Sequence, residues 1–478
     1  MRIVMLASEA RPFASTGGLG DALAGLPRAL AAEGVAVTVC LPGHRSALRA
    51  ARGLSAVGRV QAPLGSRTEP AEIVEARGGV VPTVFVRADR WFDREAVYGY
   101  PDDAERWVVF ARAALEWLRS SAVPPDVLHL HDWPASIAAA FLRQGAALYP
   151  ELAGSRILLT IHNLAHQGRF PAGIWPSLNL DPRLFAPDGL EFHGDVSFLK
   201  AGILFADRLT TVSPRYAREI LTAEFGEGLD GLLRSRPRPP LGILNGIDHA
   251  LWNPATDPYL PARFNPIDLE GKTRCKWILQ RELGLSARRE PALVAMVTRL
   301  VPQKGIDLVA PALGSLLAEG AIQLVVLGSG DPEWEDALRR LAAEHRTGVA
   351  VRIGYHEGLA HRIQAASDLL LMPSRFEPCG LAQLYALRYG TVPVVRAVGG
   401  LDDTVVEFDP ETRTGTGFTF VQHDAAALTA AVRRALTVRR DPALWRALRL
   451  NAMTQDHSWA RAARDYAHEY YQLTPAAA

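Results

Sequence analysis

Cysteine is scarce: three residues, Cys40, Cys275 and Cys379, in 478. They are too scattered for metal-ligand spacing, and their odd number leaves one over from any pairing. That excludes a small disulfide-stapled module and a cysteine zinc site, and points to a reducing compartment. Long apolar runs are missing as well. The run Ile3–Ala7 is stopped by Glu9 and Arg11 well short of a secretion-signal core, and runs such as Leu369–Pro373 have only the length of a strand. Nor does either charge dominate, with 52 Lys plus Arg against 51 Asp plus Glu, which excludes a surface tuned as a whole to nucleic acid or anionic lipid. A cytoplasmic protein with no nucleic-acid and no membrane partner is expected. Any anion it binds is bound locally.

What the chain has is material for two cores. A length of 478 residues exceeds the size at which one core keeps growing, and a hydrophobic share of 48% leaves no room for extended disorder. Short β-branched runs recur between amphipathic stretches: Arg2–Ala7, Val35–Leu41, Val81–Val86, Val127–Leu130, Arg156–Ile161 and Arg208–Val212. After Asn245 the rhythm restarts with Pro291–Val297, Ile322–Leu327, Val349–Ile353, Leu369–Met372 and Val392–Val395. Alternating β and α segments in both halves predict an α/β chain of two doubly wound parallel sheets, with ligands beyond the strand C-termini. The Pro-rich stretch Pro237–Pro240 and the turn-forming Asn245-Gly246 place the boundary at 244/245. This gives domains 1–244 and 245–458, followed by a helical tail, 459–478. Asn245-Gly246 and the return before Trp459 have two readings, hinges or ordinary connectors.

Three segments carry chemistry. The first strand runs into Ser15-Thr16-Gly17-Gly18-Leu19-Gly20-Asp21 and then a helix. Gly17 and Gly18 let a ligand approach the backbone, and the N–H groups of the helix start favour a phosphate. Alone this pattern is weak, because glycine pairs at strand–helix turns are commonly just tight connections. Asp21 has two readings, a helix cap or an acceptor for sugar hydroxyls. In the second half a strand ends in Thr298-Arg299-Leu300-Val301-Pro302-Gln303-Lys304-Gly305, whose two cations have two readings, solvated loop charges or a seat for a diphosphate leaving group that gains charge. The strand Leu369–Met372 ends in Pro373-Ser374-Arg375-Phe376-Glu377-Pro378-Cys379-Gly380-Leu381, the most specific segment of all. It predicts Glu377 at the site, with the Gly380 and Leu381 N–H groups left for phosphate oxygens, so that anion and carboxylate have separate seats. Gly399-Gly400-Leu401-Asp402-Asp403-Thr404 supplies a further glycine-rich helix start.

Together with His131-Asp132-Trp133, Ile161-His162-Asn163-Leu164, Ser197–Gly202, Thr211–Pro214 and Asn245–Asp248, these segments resemble bacterial glycogen synthases and plant starch synthases over almost the whole chain. In related nucleotide-sugar transferases the elbow glutamate is followed eight positions later by a second glutamate; here that position is Tyr385, as in glycogen synthases. The resemblance implies a GT-B fold, two Rossmann-like domains facing across a deep cleft, with acceptor glucan on the first, donor nucleotide on the second and the C-terminal helix crossing back to the first. It implies a retaining hexosyltransferase that moves glucose from ADP-glucose to the non-reducing 4-hydroxyl of glycogen or another α-1,4-glucan. The sequence shows no metal cluster, and Arg299 with Lys304 can replace a divalent ion, so transfer without metal or pyridoxal phosphate is expected. By the same resemblance His162 contacts the 6-hydroxyl side of the glucose, Arg299 and Lys304 clamp the diphosphate, and Glu377 holds glucose hydroxyls. Cys379, Gly380 and Leu381 surround the sugar and distal phosphate, with Thr404 nearby. Asp21, Asp132, Asn163 and Asn245 are further sugar contacts, and Tyr355 lies beside the adenine. The bacterial-type motifs favour ADP over UDP.

The family loop usually opens with a lysine directed at the donor phosphates, and here the matching residue is Ser15. A hydroxyl in its place forfeits ~1.5–3 kcal/mol, roughly a tenfold to hundredfold effect on donor affinity or rate. Arg11 compensates if the loop folds back. The alternative function is a catalytically weakened glucan-binding or regulatory paralogue, against which the intact Arg299, Lys304 and Glu377 argue. A phosphorylase is a third reading, but no segment matches its cofactor lysine. With no second carboxylate paired to Glu377, same-face attack assisted by the departing phosphate is expected rather than double displacement. His131 is read as structural. Trp91, Tyr98 and Tyr100 are either glucan-stacking aromatics or core.

Overall fold

The computed structural model describes residues 1–144 and 148–474. It divides into two compact units, Met1–Gly246 with Trp459–Ala478, and Ile247–Ser458. The last four residues of the predicted tail, 475–478, lie outside the described part.

The sheet of the first unit has nine strands in the order Leu241–Gly242, Arg208–Thr211, Arg156–Ile161, Val127–His131, Arg2–Leu6, Ala36–Pro42, Thr83–Arg87, Arg67–Ala76 and Ser55–Leu64. The first seven are parallel. Ile3, Val4, Met5 and Leu6 are wholly buried, as a strand covered by helices on both faces requires. The last two strands form an antiparallel hairpin through Gly65, whose φ of 61° is the left-handed conformation of a tight turn. This hairpin has no counterpart among the predicted strands. Neither has a small antiparallel sheet of Arg169–Pro171, Asp195–Ser197 and Glu191–Phe192. The C-terminal helix Trp459–Leu473 packs on the helix Gly18–Ala32, and a Cβ at Gly25 would collide with the Trp459 ring. Its Tyr466 and Tyr470 are buried, and Glu469 pairs with Arg208 at 2.6 Å.

The second unit is a six-stranded parallel sheet in the order Val349–Ile353, Ile322–Gly328, Ala292–Val297, Leu369–Met372, Val392–Arg396 and Phe418–Phe420. Its five longer strands lie on the predicted runs. Under the sheet, Asp368 accepts from Lys276 Nζ at 2.7 Å, Arg449 at 2.9 Å and the Leu293 N–H at 2.9 Å. The division between units falls after Gly246 rather than Leu244. Leu241–Gly242 pairs with Arg208–Thr211 and holds this segment in the first sheet, while the Ile247 N–H donates to His457 O in the second unit.

Candidate active site

In the first unit the candidate residues follow three neighbouring parallel strands, Arg2–Leu6, Val127–His131 and Arg156–Ile161. Asp132 turns the chain from strand into helix with a φ of 56°, a left-handed conformation that aspartate tolerates better than most residues. Its Oδ1 accepts the His162 N–H at 2.6 Å and the Asn163 N–H at 3.4 Å, tying one strand end to the next. Burial pushes the Asp132 carboxyl up to about 7, although both N–H groups pull it down. Asn163 uses its own Oδ1 on the Ala165 N–H.

Beside them, His162 Nε2 lies 3.0 Å from His131 Nδ1. The His131 ring lies against that of His129 at 4.0 Å between centroids, and His129 bonds Tyr470 Oη and Thr160 Oγ1, each at 2.7 Å. Burial lowers His162 to about 3 and takes His129 and His131 well below the usual imidazole range, so all three rings are neutral at physiological pH.

The glycine-rich loop is anchored from beneath by Glu9, whose carboxylate accepts the Thr16 N–H. Gly17 is the N-cap of the helix Gly18–Ala32 and contributes no side chain, so Asp21 is not the cap. Instead Asp21 Oδ1 pairs with Arg11 Nε at 2.9 Å. The loop does fold back, as the Arg11 N–H to Gly20 O bond shows, but it commits the Arg11 cation to Asp21. Ser15, Gly17 and Gly18 are exposed; the Ser15 hydroxyl donates to Gly17 O at 3.3 Å, and its side chain lies over Gly20, where a Cβ would collide with it. Asn245 is buried near the end of the unit. Trp91 belongs to the core, its indole N–H on Glu69 at 3.2 Å. Tyr98 spends its hydroxyl on Ser8 Oγ at 2.6 Å, and Tyr100 carries the Arg94 and Arg106 guanidinium groups against its ring.

In the second unit two adjacent strands, Ala292–Val297 and Leu369–Met372, deliver the cations and the carboxylate. Gly305, with a φ of 67°, presses so closely on Pro373 O that no Cβ fits, and the Arg375 N–H donates to Gln303 O at 2.8 Å. This close approach sets Lys304 Nζ 2.6 Å from Glu377 Oε2, and Ser374 Oγ donates to the same oxygen at 3.0 Å. The Lys304 cation and the Glu377 carboxylate are therefore in direct contact. Arg299 is exposed and reaches Gln303 Oε1 at 3.3 Å.

A second interlock lies behind Glu377. The Gly400 N–H donates to Glu377 O at 3.0 Å, and Gly399 and Gly400 abut the Glu377 and Cys379 carbonyls without room for a Cβ. Gln383 ties Cys379 O and Gly380 O, each at 3.0 Å, to Thr404 Oγ1 at 3.2 Å. The Thr404 hydroxyl itself donates to Gly400 O at 2.6 Å, so Thr404 holds the backbone that carries Glu377, Cys379 and Gly380. Leu381 precedes the short helix Ala382–Arg388. Tyr355 stands two strands away, after Val349–Ile353, and is exposed. Tyr385 is stacked on Trp252 at 3.8 Å, and Trp252 on His361 at 3.8 Å.

Glu9, Ser374, Gln303, Gln383 and Trp252 were not among the expected site residues. Ser374 had a signal, a hydroxyl three residues before the glutamate at a strand end; Trp252 had none. Among the described residues no group of three His, Cys, Asp or Glu is placed to hold a metal ion, and no helix is long and apolar enough to cross a membrane.

The starch synthase catalytic domain family matches residues 2–235, and glycosyl transferases group 1 matches residues 284–448. A glycogen synthase of Anaeromyxobacter dehalogenans (strain 2CP-C) is 52% identical over 99% of this chain and 100% of its own length. The chain belongs to the glycogen and starch synthase family. A glycogen synthase of Geobacillus stearothermophilus is 43% identical over 99% of this chain and 98% of that protein. The catalytic domain of starch synthase IV from Arabidopsis thaliana, bound to ADP and acarbose, is 37% identical with a TM-score of 0.91, covering 98% of this chain and 99% of that one. Sucrose-phosphate synthase from Thermosynechococcus elongatus, at 20% identity and a TM-score of 0.61 with both chains fully covered, shares the fold. The chain is thus a hexosyltransferase of the GT-B class, with two α/β units.

Proposed function

We propose that the chain elongates glycogen or a related α-1,4-glucan, transferring glucose from ADP-glucose to the non-reducing 4-hydroxyl with retention of configuration. The observation that carries this reading is the Lys304–Glu377–Ser374 cluster at neighbouring strand ends, with Arg299 beside it. As the glycosidic bond to the diphosphate breaks, negative charge moves onto the leaving phosphate and positive charge onto the anomeric carbon. Arg299 and Lys304 stabilise the first, doing the work a divalent ion does elsewhere, so the reaction is proposed to need neither metal nor pyridoxal phosphate.

Glu377 orients glucose hydroxyls through the oxygen that Lys304 and Ser374 leave available. Cys379, Gly380 and Leu381 line the sugar and distal phosphate, and Tyr355 flanks the adenine. On the first unit, assigned to the acceptor glucan, His162 contacts the 6-hydroxyl side of the glucose. Asp132 acts by holding the His162 and Asn163 backbone, with Asn163, Asn245 and the Ser15–Asp21 loop completing the sugar and phosphate contacts. The departing phosphate takes the proton of the attacking 4-hydroxyl on the same face. The ADP of the starch synthase IV structure supports an adenine nucleotide donor, and the buried free thiols Cys40 and Cys275 support a cytoplasmic setting.

The test is product analysis with EDTA present. Proton NMR of extended maltooligosaccharide shows a new α-1,4 anomeric signal under this reading; a β signal, or turnover abolished by EDTA and restored by magnesium, contradicts it.

A further inference from the structure

His131 lies behind His162, and its environment decides where the protons of both rings reside. Its Nε2 is buried with no hydrogen-bond partner among the described residues. Its Nδ1 has one partner, His162 Nε2, at 3.0 Å. The ring face is covered by His129, which spends both nitrogens on Tyr470 and Thr160 and has none to offer. A neutral imidazole carries one N–H and one lone pair. Burying an N–H without an acceptor is rarer in proteins than leaving an acceptor under-used. The His131 proton therefore resides on Nδ1 and is donated to His162 Nε2, and the proton of neutral His162 is consequently on its own Nδ1.

We infer that His131 is a positioning residue that locks His162 in the Nδ1–H tautomer, so that the residue assigned to the glucose presents a hydrogen-bond donor to a ligand oxygen. The ligand chemistry this selects is an oxygen acceptor, such as a sugar hydroxyl oxygen. A second constraint aims the ring: Asp132 Oδ1 fixes the His162 backbone N–H at 2.6 Å, so main chain and imidazole are held from two sides. Buried neutral rings suit this role, since a tautomer lock fails once either ring takes a second proton. The substrate part of the inference rests on the proposed glucosyl transfer; the tautomer part does not.

The experiment reads the tautomer directly. In protein carrying ¹⁵N,¹³C-histidine, long-range ¹H–¹⁵N correlation spectra distinguish Nδ1–H from Nε2–H rings, and the His162 resonance is assigned by its disappearance in His162→Gln. The expected result is Nδ1–H for both His131 and His162 in the native protein. His131→Asn, whose amide can donate from the Nδ1 position, keeps the His162 tautomer and stays within about threefold of native kcat. His131→Leu releases the tautomer and lowers kcat about 10- to 100-fold, the worth of one oriented hydrogen bond in the transition state. A native His162 found as Nε2–H overturns the inference with no variant needed, and so does a His131→Leu protein that keeps the native tautomer. Native Nδ1–H rings in a protein that transfers no glucose would instead refute the proposed function and leave the lock standing.

Discussion

Lys304 Nζ and Glu377 Oε2 are 2.6 Å apart, an ion pair between neighbouring strand ends with the Glu377 side chain only 7% exposed. The groups assigned to the leaving phosphate and to the transferred sugar thus hold each other in place. Removing either leaves the other charge unbalanced in a buried site, so their contributions to catalysis do not add. Lys304→Met and Glu377→Gln are each expected to lower kcat/KM for ADP-glucose by about 10²- to 10³-fold, and the double variant by much less than the product. A double-mutant cycle on initial rates measures the coupling, expected to exceed ~1.5 kcal/mol.

Ser15 is exposed, so a longer side chain has room, and Arg11, the nearest candidate to replace a lysine there, is committed to Asp21 at 2.9 Å. Ser15→Lys is expected to lower the KM for ADP-glucose roughly tenfold, more at low salt than at high salt. Donor titrations at two ionic strengths check this.

Burial pushes the Glu9 carboxyl up to about 7 against the pull of its Thr16 hydrogen bonds. A raised carboxyl favours the protonated folded state, so its contribution to stability is full below the unfolded value near 4.5 and is lost as pH rises toward 7. Urea unfolding of native protein and Glu9→Gln from pH 5 to pH 8 is expected to show the native protein losing stability relative to the variant across that window, by on the order of 1–3 kcal/mol.

Asp368 is buried against Lys276, Arg439 and Arg449. Burial alone would raise its carboxyl, but the three cations outweigh that and hold it well below the usual range. Its contribution is present above the unfolded value near 4 and lost as pH falls below it. Asp368→Asn leaves the cations uncompensated and is expected to cost about 3–5 kcal/mol, read as a lower urea midpoint at pH 7 with the difference shrinking in acid.

The parallel strands were legible because they are buried on both faces: runs such as Ile3–Leu6 and Leu369–Leu371 are apolar throughout, and apolar runs are what sequence shows best. The hairpin Ser55–Leu64 and Arg67–Ala76 escaped because it mixes buried Ile73 and Val74 with exposed Arg59 and Arg67, and carries Pro63 and Pro70, which argue against a strand. The positions of Glu377 and Lys304 after neighbouring strands were legible. Their contact was not, since it depends on Gly305 meeting Pro373 across two strands, a relation between segments 73 residues apart. The His131–His162 bond was hidden for the same reason: each histidine alone looks like packing, and only the parallel pairing of their strands sets His131 Nδ1 3.0 Å from His162 Nε2.

Arg299 and Lys304 are proposed to draw off the leaving charge of ADP-glucose while a glucan grows. The most direct test is the initial rate of glucose incorporation from radiolabelled ADP-glucose into glycogen, compared among the native chain, Arg299→Ala and Lys304→Ala. The account predicts robust incorporation by the native chain and a loss of about 100-fold or more in each variant. A native chain that leaves glycogen unlabelled, or variants that label it at the native rate, would contradict it.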